Sequence, residues 1–225
     1  MFRLGALAFL GFLATPLVPE TELAAQSRPT DAATAFFNAI TASDWRRATR
    51  LVDPDAVAEA RTIELGMLAS WAERRPDLER REGEGMQGIS FDGELDPRLL
   101  EKHRDFVVDL YGVRTLGELA GLSPEELFAR SLEASAHPSV RDDGTDFGAL
   151  TYRIIGTVQE TDAVAHVLYR ATSPNISYDD PWHVTVLRAV RRGDQWFIRP
   201  DRELVIFTGT SLLFQRMLDE QGPPE

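Results

Sequence analysis

The 225-residue chain contains no cysteine, which excludes disulfides, thiolate nucleophiles and cysteine-ligated zinc or iron–sulfur centres. Positive charge is scarce: 24 basic side chains, with Lys102 the single lysine, face 36 acidic ones, for a formal net charge of −12. That balance excludes a protein that tracks nucleic-acid phosphates or is held by charge to anionic lipid, since both need a basic surface. The four histidines, His103, His137, His166 and His183, include no pair at i,i+3 or i,i+4 spacing with a third ligand, so no metal site is expected. Beyond residue 27 no apolar run approaches membrane-spanning length, and the mature chain is expected to have no membrane contact. What is present is 43 % hydrophobic residues, enough for a core in one or two domains.

Residues 1–27 read as a signal peptide. Arg3 supplies a positive n-region, Leu4 to Leu13 an apolar h-region, and Pro16 and Pro19 break the helix. Small residues at Ala24, Ala25 and Ser27 allow cleavage after Ala25 or after Ser27. Arginine in place of lysine, with abundant alanine, points to a GC-rich bacterial genome, and so to a periplasmic or secreted location.

The first part of the mature chain carries helical spacing. Thr30 and Asp31 offer caps for a helix with Ala33, Phe36, Phe37 and Ile40 on one stripe. Ser43 and Asp44 cap a second, with Trp45, Ala48, Leu51 and Val52. Asp53-Pro54 opens a third, which buries Val57, Ala60, Met67, Leu68 and Trp71 and which Pro76 should end. A glycine-rich loop follows. Asp96-Pro97 starts a fourth helix with Leu99, His103, Phe106, Val107 and Leu110 on one stripe and Gly112 as its C-terminal cap. Ser123-Pro124-Glu125-Glu126 is a capping box for a fifth, carrying Leu127, Phe128 and Leu132 inward.

After a polar loop at His137–Asp146 the period changes to two. Leu150, Tyr152, Ile154 and Val158 alternate with Thr151, Arg153 and Thr157. Further strands are expected at Ala163–Ala171, Trp182–Arg191, Gln195–Arg199 and Leu204–Phe207, with a tight hairpin at Arg192-Gly193-Asp194 and a terminal helical turn at Leu212–Leu218. Helices followed by antiparallel strands make an α+β fold, with the helices on one face of a curved sheet.

Motif-like fragments carry little chemistry. Gly83, Gly85 and Gly88 match G-x-G-x-x-G but do not follow a strand or open a helix, so no dinucleotide cofactor is expected. Gly88, Ser90 and Asp92 lack the second glycine of a nucleophile elbow. Asp142, Asp143 and Asp146 lack the spacing of a calcium loop. Asn175-Ile176-Ser177 is a glycosylation sequon without consequence in most bacteria. Arg188, Arg191, Arg192, Arg199 and Arg202 gather near the last hairpin and could hold an anion, but Asp194, Asp201 and Glu203 beside them favour solvated ion pairs.

The helix–step–helix of Asp31–Val57, with Ser43-Asp44-Trp45 and Asp53-Pro54-Asp55, and the hairpins at Val158–Arg170 and Val186–Ile198 resemble the nuclear transport factor 2-like, cystatin-like cone superfamily. The resemblance covers about 29–57 and 150–207. It implies one domain over 28–225, with a helical insertion at about 80–145 and a cavity between the curved sheet and the first and third helices. Enzymes of that kind place an Asp or His base and Tyr donors in this cavity. Here the residues that could line it are Trp45, Trp71, Tyr152, His166 and His183, with Tyr169 also considered. Tyr152 shares a face with Ile154 and should point inward; His166 falls on the face opposite Tyr169. No mid-strand carboxylate shares Tyr152's face, so no catalytic residue is assigned. The expected function is non-catalytic: an exported, soluble protein that binds a small apolar ligand or a protein through the cavity or the sheet face, or forms a homodimer. Two alternatives stand beside it, a small cone-fold isomerase or hydrolyase using a His/Tyr pocket, and a structural interaction module whose insertion plugs the cavity.

Overall fold

The computed structural model describes residues 26–78, 95–136, 150–172 and 184–200, with side chains in the third helix described as far as Arg74. The h-region, the glycine-rich loop and its motifs, the polar loop, His183, and the expected strand and turn at Leu204–Phe207 and Leu212–Leu218 lie outside the described residues. In chain order the elements are α1 (Pro29–Thr41), α2 (Trp45–Arg50), α3 (Pro54–Leu78), α4 (Pro97–Lys102), β1 (Val107–Leu110), β2 (Val113–Thr115), α5 (Leu116–Ala120), α6 (Pro124–Ala136), β3 (Thr151–Thr161), β4 (Val164–Thr172), β5 (Thr185–Arg192) and β6 (Gln195–Arg199). The class is α+β. None of the described helices is long and apolar enough to cross a membrane.

Pro29 occupies the first turn of α1, where its missing N–H costs nothing, and Arg28 is the N-cap. Thr30 and Asp31, expected as caps, therefore sit inside the first turn; Asp31 pairs with Arg28 instead. Asp44 does cap α2, accepting the Arg47 N–H at 3.0 Å. Pro76 does not end α3, which continues to Leu78; so near the end of a helix, a proline forfeits one hydrogen bond without breaking the rod.

Strands β3 to β6 form one antiparallel sheet in chain order. α1 lies on it through Ala32, Ala33 and Phe37, against Ala165, Val167, Leu187, Ala189, Trp196 and Ile198. Alanines on both surfaces let the helix come close, and the larger side chains fill the flanks. Gly193 (φ 60°) turns β5 into β6 at the predicted hairpin. The outer edge of β6 is covered by early chain: Trp196 N–H donates to Gln26 at 3.1 Å, Ile198 N–H to Leu51 at 2.8 Å, and Asp53 N–H returns to Ile198 at 2.8 Å.

The alternation along β3 breaks. The register shifts between Ile154 and Gly156, so Val158 lies opposite His166, while Ile154 lies opposite Tyr169. An extra residue reverses every side chain after it. Val158, expected on the buried face with Tyr152, is 57 % exposed on the outer one.

The fourth helix is the largest departure. It stops at Lys102, and Val107 to Thr115 fold as the β1–β2 hairpin. Tyr111 and Gly112 form its two-residue turn with φ of 53° and 76°, the double left-handed geometry that matches strand twist. Gly112 is thus a turn residue and not a helix cap, and the insertion is not purely helical. Thr115 and Glu118 then form a full capping box for α5. On α6 the box is half made: Ser123 accepts the Glu126 N–H, while the Glu126 carboxylate pairs with Arg130 and Arg46.

α3 changes partners along its length. Its first half packs Val57 and Ala60 with Val52 and Phe128. Its second half joins Leu65, Leu68 and Trp71 to Val108, Leu110, Leu116, Leu119 and Leu127. The inserted elements therefore build their own core behind α3, while α6 rests on α2 and α3. Arg61 ties the two parts, donating to the Ala120 carbonyl at 2.6 Å at the end of α5.

Candidate functional site

On α1 the residues Thr34, Phe37, Asn38 and Thr41 recur at helical spacing and share one face. That face meets the beginning of β3, and between them is a cleft of about 400 Å³ lined by Thr34, Phe37, Asn38, Thr41, Leu150, Thr151, Tyr152 and Ile154. Its floor is an aromatic stack. The Phe37 and Tyr152 rings lie 4.2 Å apart and nearly parallel at 6°, and Tyr169 tilts against Phe37 at 4.7 Å. Such contacts add about 1 kcal/mol beyond burial and hold the floor flat. Burial pushes the Tyr169 phenol upward from its ordinary value, so it remains a neutral hydroxyl at physiological pH.

The rim is polar but uncharged. Thr34 donates its hydroxyl proton to the Thr30 carbonyl at 2.8 Å, and Thr41 donates to the Phe37 carbonyl at 3.0 Å. Thr151 shares a proton with Thr172 across the β3–β4 ladder. The described lining contains no Asp, Glu, His, Lys or Arg. These residues can hold an apolar body and orient it by neutral hydrogen bonds.

Among the sequence-selected residues that are described, Tyr152 alone lines this cleft. Trp45 packs at the start of α2 with Ala39, Ile40, Ala48 and Leu51. Trp71 is buried in the second core, edge-on to Phe106 at 5.1 Å. His166 lies on the outer face, its Nε2 2.7 Å from the Glu160 carboxylate. His183 is outside the described residues. Trp45, Trp71, Tyr152 and His166 thus lie in separate settings: Trp45 against α1 and α2, Trp71 on the half of α3 that faces the inserted elements, Tyr152 over α1, and His166 on the outer face. The missed lining residues, Thr34, Asn38 and Thr41, had a signal: a polar stripe interrupted by Phe37 on a helix whose other face is alanine.

The arginines near the last hairpin divide. Arg191 makes an exposed pair with Asp194, as expected. Arg192 and Arg199 do not stay local. Both reach Asp53, which is 0 % exposed: Arg192 Nε and Nη2 each donate at 3.2 Å, and Arg199 Nη1 at 2.7 Å. Arg192 also pairs with Asp55, and Arg199 with Glu59 at 3.1 Å. Asp53 was legible as a helix cap; its carboxylate is instead the buried junction between α3 and the sheet. The acids around these two arginines account for their charge, and no anion is required there.

One further carboxylate stands out. Glu64 on α3, partly buried, accepts the Tyr111 hydroxyl at 2.6 Å, and Ser131 lies 3.4 Å from the same hydroxyl. Burial raises the Glu64 carboxyl from 4.5 to about 7, against the opposing pull of the Tyr111 bond. The Tyr111 phenol is pushed well above its ordinary value by burial and by the Glu64 charge. A desolvated acid opposite a tyrosine is the pattern of an acid–base pair, but here the two groups bond directly to each other. At the surface, Glu73 gathers Lys102 (2.7 Å) and His103, and these partners hold its carboxyl below the usual range. Among the described residues no group of His, Asp and Glu could hold a metal ion.

No protein-family model, no curated protein and no solved structure matches the chain.

Proposed function

We propose that this is an exported, soluble protein of the nuclear transport factor 2-like type that binds a small, neutral, largely apolar ligand without transforming it. The observation that carries the reading is the α1–β3 cleft: a volume of about 400 Å³ over a stacked Phe37–Tyr152 floor, with described rim residues that are polar and uncharged. That volume falls in the lower part of the range for small-molecule sites. Among the described lining residues none is a titratable base, which favours binding over isomerase or hydrolyase chemistry. The plugged-cavity alternative gains no support from the described part of the insertion, which packs on α2 and α3, and through Leu132 on Ala39 and Ile40, and contributes no residue to the described lining of this cleft. Export rests on Arg3 and the Leu4–Leu13 segment. Of the two cleavage positions, the one after Ala25 keeps Gln26, whose carbonyl takes the Trp196 N–H.

The test is a titration with N-phenyl-1-naphthylamine, a neutral fluorescent probe. Saturable single-site binding is expected, weakened about tenfold or more by Thr34→Trp, which fills the cleft from an exposed helix position. Binding that ignores this substitution, or none at all, would refute the reading.

A second reading concerns the outer sheet face. Val186 is 49 % and Ile155 48 % exposed, and both lie beside Leu168, which pairs with Gly156 and Val186. An apolar row across three strands suits a second copy of the chain. Sedimentation equilibrium should show a dimer that Val186→Glu dissociates; a wild-type monomer at micromolar concentration would dismiss it.

A further inference from the structure

We infer that the cleft selects, among neutral ligands with a flat apolar body, those that carry a hydrogen-bond donor; this deepens the binding reading above and rests on it. The argument is an inventory of protons. A threonine hydroxyl has one proton and two lone pairs. Thr34 has given its proton to the Thr30 carbonyl, and Thr41 has directed its own at the carbonyls of Phe37 and Asn38. Both hydroxyls are thereby fixed as acceptors on the cleft side of α1, held by the helix that carries them. Asn38, exposed between them, offers an amide that can accept or donate. A ligand O–H or N–H meets two preset acceptors there and Asn38 as a third.

An anion meets the reverse at the two helix threonines, with a proton to accept at the Asn38 amide and in the Thr151–Thr172 hydroxyl pair. A carboxylate has lone pairs alone, and opposite Thr34 and Thr41 it finds lone pairs. The described lining holds no Lys, Arg or His to offset its charge, and the chain's net charge of −12 repels it at longer range. A ligand without polar atoms is accepted by the Phe37–Tyr152 floor but gains nothing from the rim. The class selected is therefore an aromatic or alicyclic alcohol, phenol or amide of modest size, in preference to the matching ether or acid.

Three probes that share one ring system test this: 2-naphthol, 2-methoxynaphthalene and 2-naphthoate, each titrated against the full chain at pH 7 and followed by probe fluorescence. The expected result is that 2-naphthol binds about tenfold more tightly than the ether, the effect of one to two neutral hydrogen bonds, with the naphthoate weakest. Thr34→Val combined with Thr41→Val keeps the shape, removes both acceptors and should bring 2-naphthol to within about twofold of the ether. Equal wild-type affinity for 2-naphthol and its ether would overturn the donor preference and leave the cleft as a binding site. Tightest binding of the naphthoate would overturn it too. Failure of all three to saturate would remove the cleft reading together with this one.

Discussion

Asp53→Ala destabilises the protein by about 3 kcal/mol or more, an effect seen as a fall in the denaturant midpoint and a Tm lower by about 6–12 °C. The estimate follows from the setting. Asp53 is fully buried and receives two guanidinium groups, Arg192 from the β5–β6 turn and Arg199 from the far end of β6. Truncation leaves two cations converging on a cavity, with the exposed Asp55 and the partly buried Glu59 as remaining partners. Loss of the buried member leaves its two partners facing a cavity at their inner ends, while the outer parts of Arg192 and Arg199 reach solvent. The same logic sets a control. Replacing Arg192 and Arg199 with methionine in the Asp53→Ala background should recover much of the loss, since no guanidinium then faces the cavity and the carboxylates left behind, Asp55 and Glu59, reach solvent. A midpoint unchanged in Asp53→Ala would show that the junction is solvated and dispensable.

Glu64→Gln acts in the opposite direction and depends on pH. The Glu64 carboxyl is raised from 4.5 to about 7 in the folded chain. Over that window the folded state binds more protons than the unfolded state, so stability falls as pH rises from about 4.5 to about 7 and stays at the lower level above it. The shift corresponds to about 3 kcal/mol at most, reduced to about 2 kcal/mol for a group that keeps some contact with water. Glutamine reproduces the protonated acid: its carbonyl accepts the Tyr111 proton and carries no charge. The variant should match the wild-type protein at pH 4, where both states keep the proton, and exceed it by about 2 kcal/mol at pH 8 in urea denaturation. The lowered carboxyls of Asp31, Glu73, Glu118 and Glu126 have the opposite sign and lose their contribution only as pH falls below the ordinary carboxylate range. They do not confuse the comparison. Equal stability of the two proteins at pH 8 would mean that the Glu64 charge is met by solvent.

Much of the architecture was legible because local chemistry and tertiary structure agree. Asp44 caps α2 as its position before Trp45 predicts. The alternation in β4 puts Ala165, Val167 and Tyr169 on the core side and His166 outside. Tyr152 points inward as its pairing with Ile154 implies. The failures have separate causes. Leu99, His103, Phe106, Val107 and Leu110 satisfy helical spacing, yet the β-branched pair Val107-Val108 and the Tyr111-Gly112 turn decide for a hairpin. Asp109 and Tyr111 accept positive φ there, which sequence spacing cannot report. Val158 was misplaced by a register shift whose mark in the sequence is Gly156, an isolated glycine inside the strand run.

The candidate site was less legible for a different reason. Its floor was half visible, through Tyr152, but its rim comes from helix residues whose hydroxyls look like ordinary surface polarity until a strand is set against them. Asp53 shows the same limit. A carboxylate before a proline reads locally as a cap, and nothing nearby announces partners 139 and 146 residues away.

That separation bears on how the chain acquires its shape. The last strand of the described sheet is clasped on its free side by Gln26 and by Leu51–Asp53. A ribosome delivers the amino terminus first. The opening helices can meet β3, β4 and β5 first, through Phe37 on Tyr152 and Tyr169, but the part of α1 and α2 that faces β6 must wait until Ile198 and Arg199 have emerged. Closing so wide a loop is slow compared with forming a helix. The molecule is thus latched by its beginning and its end together, and a nascent chain cut short before β6 would leave the latch open.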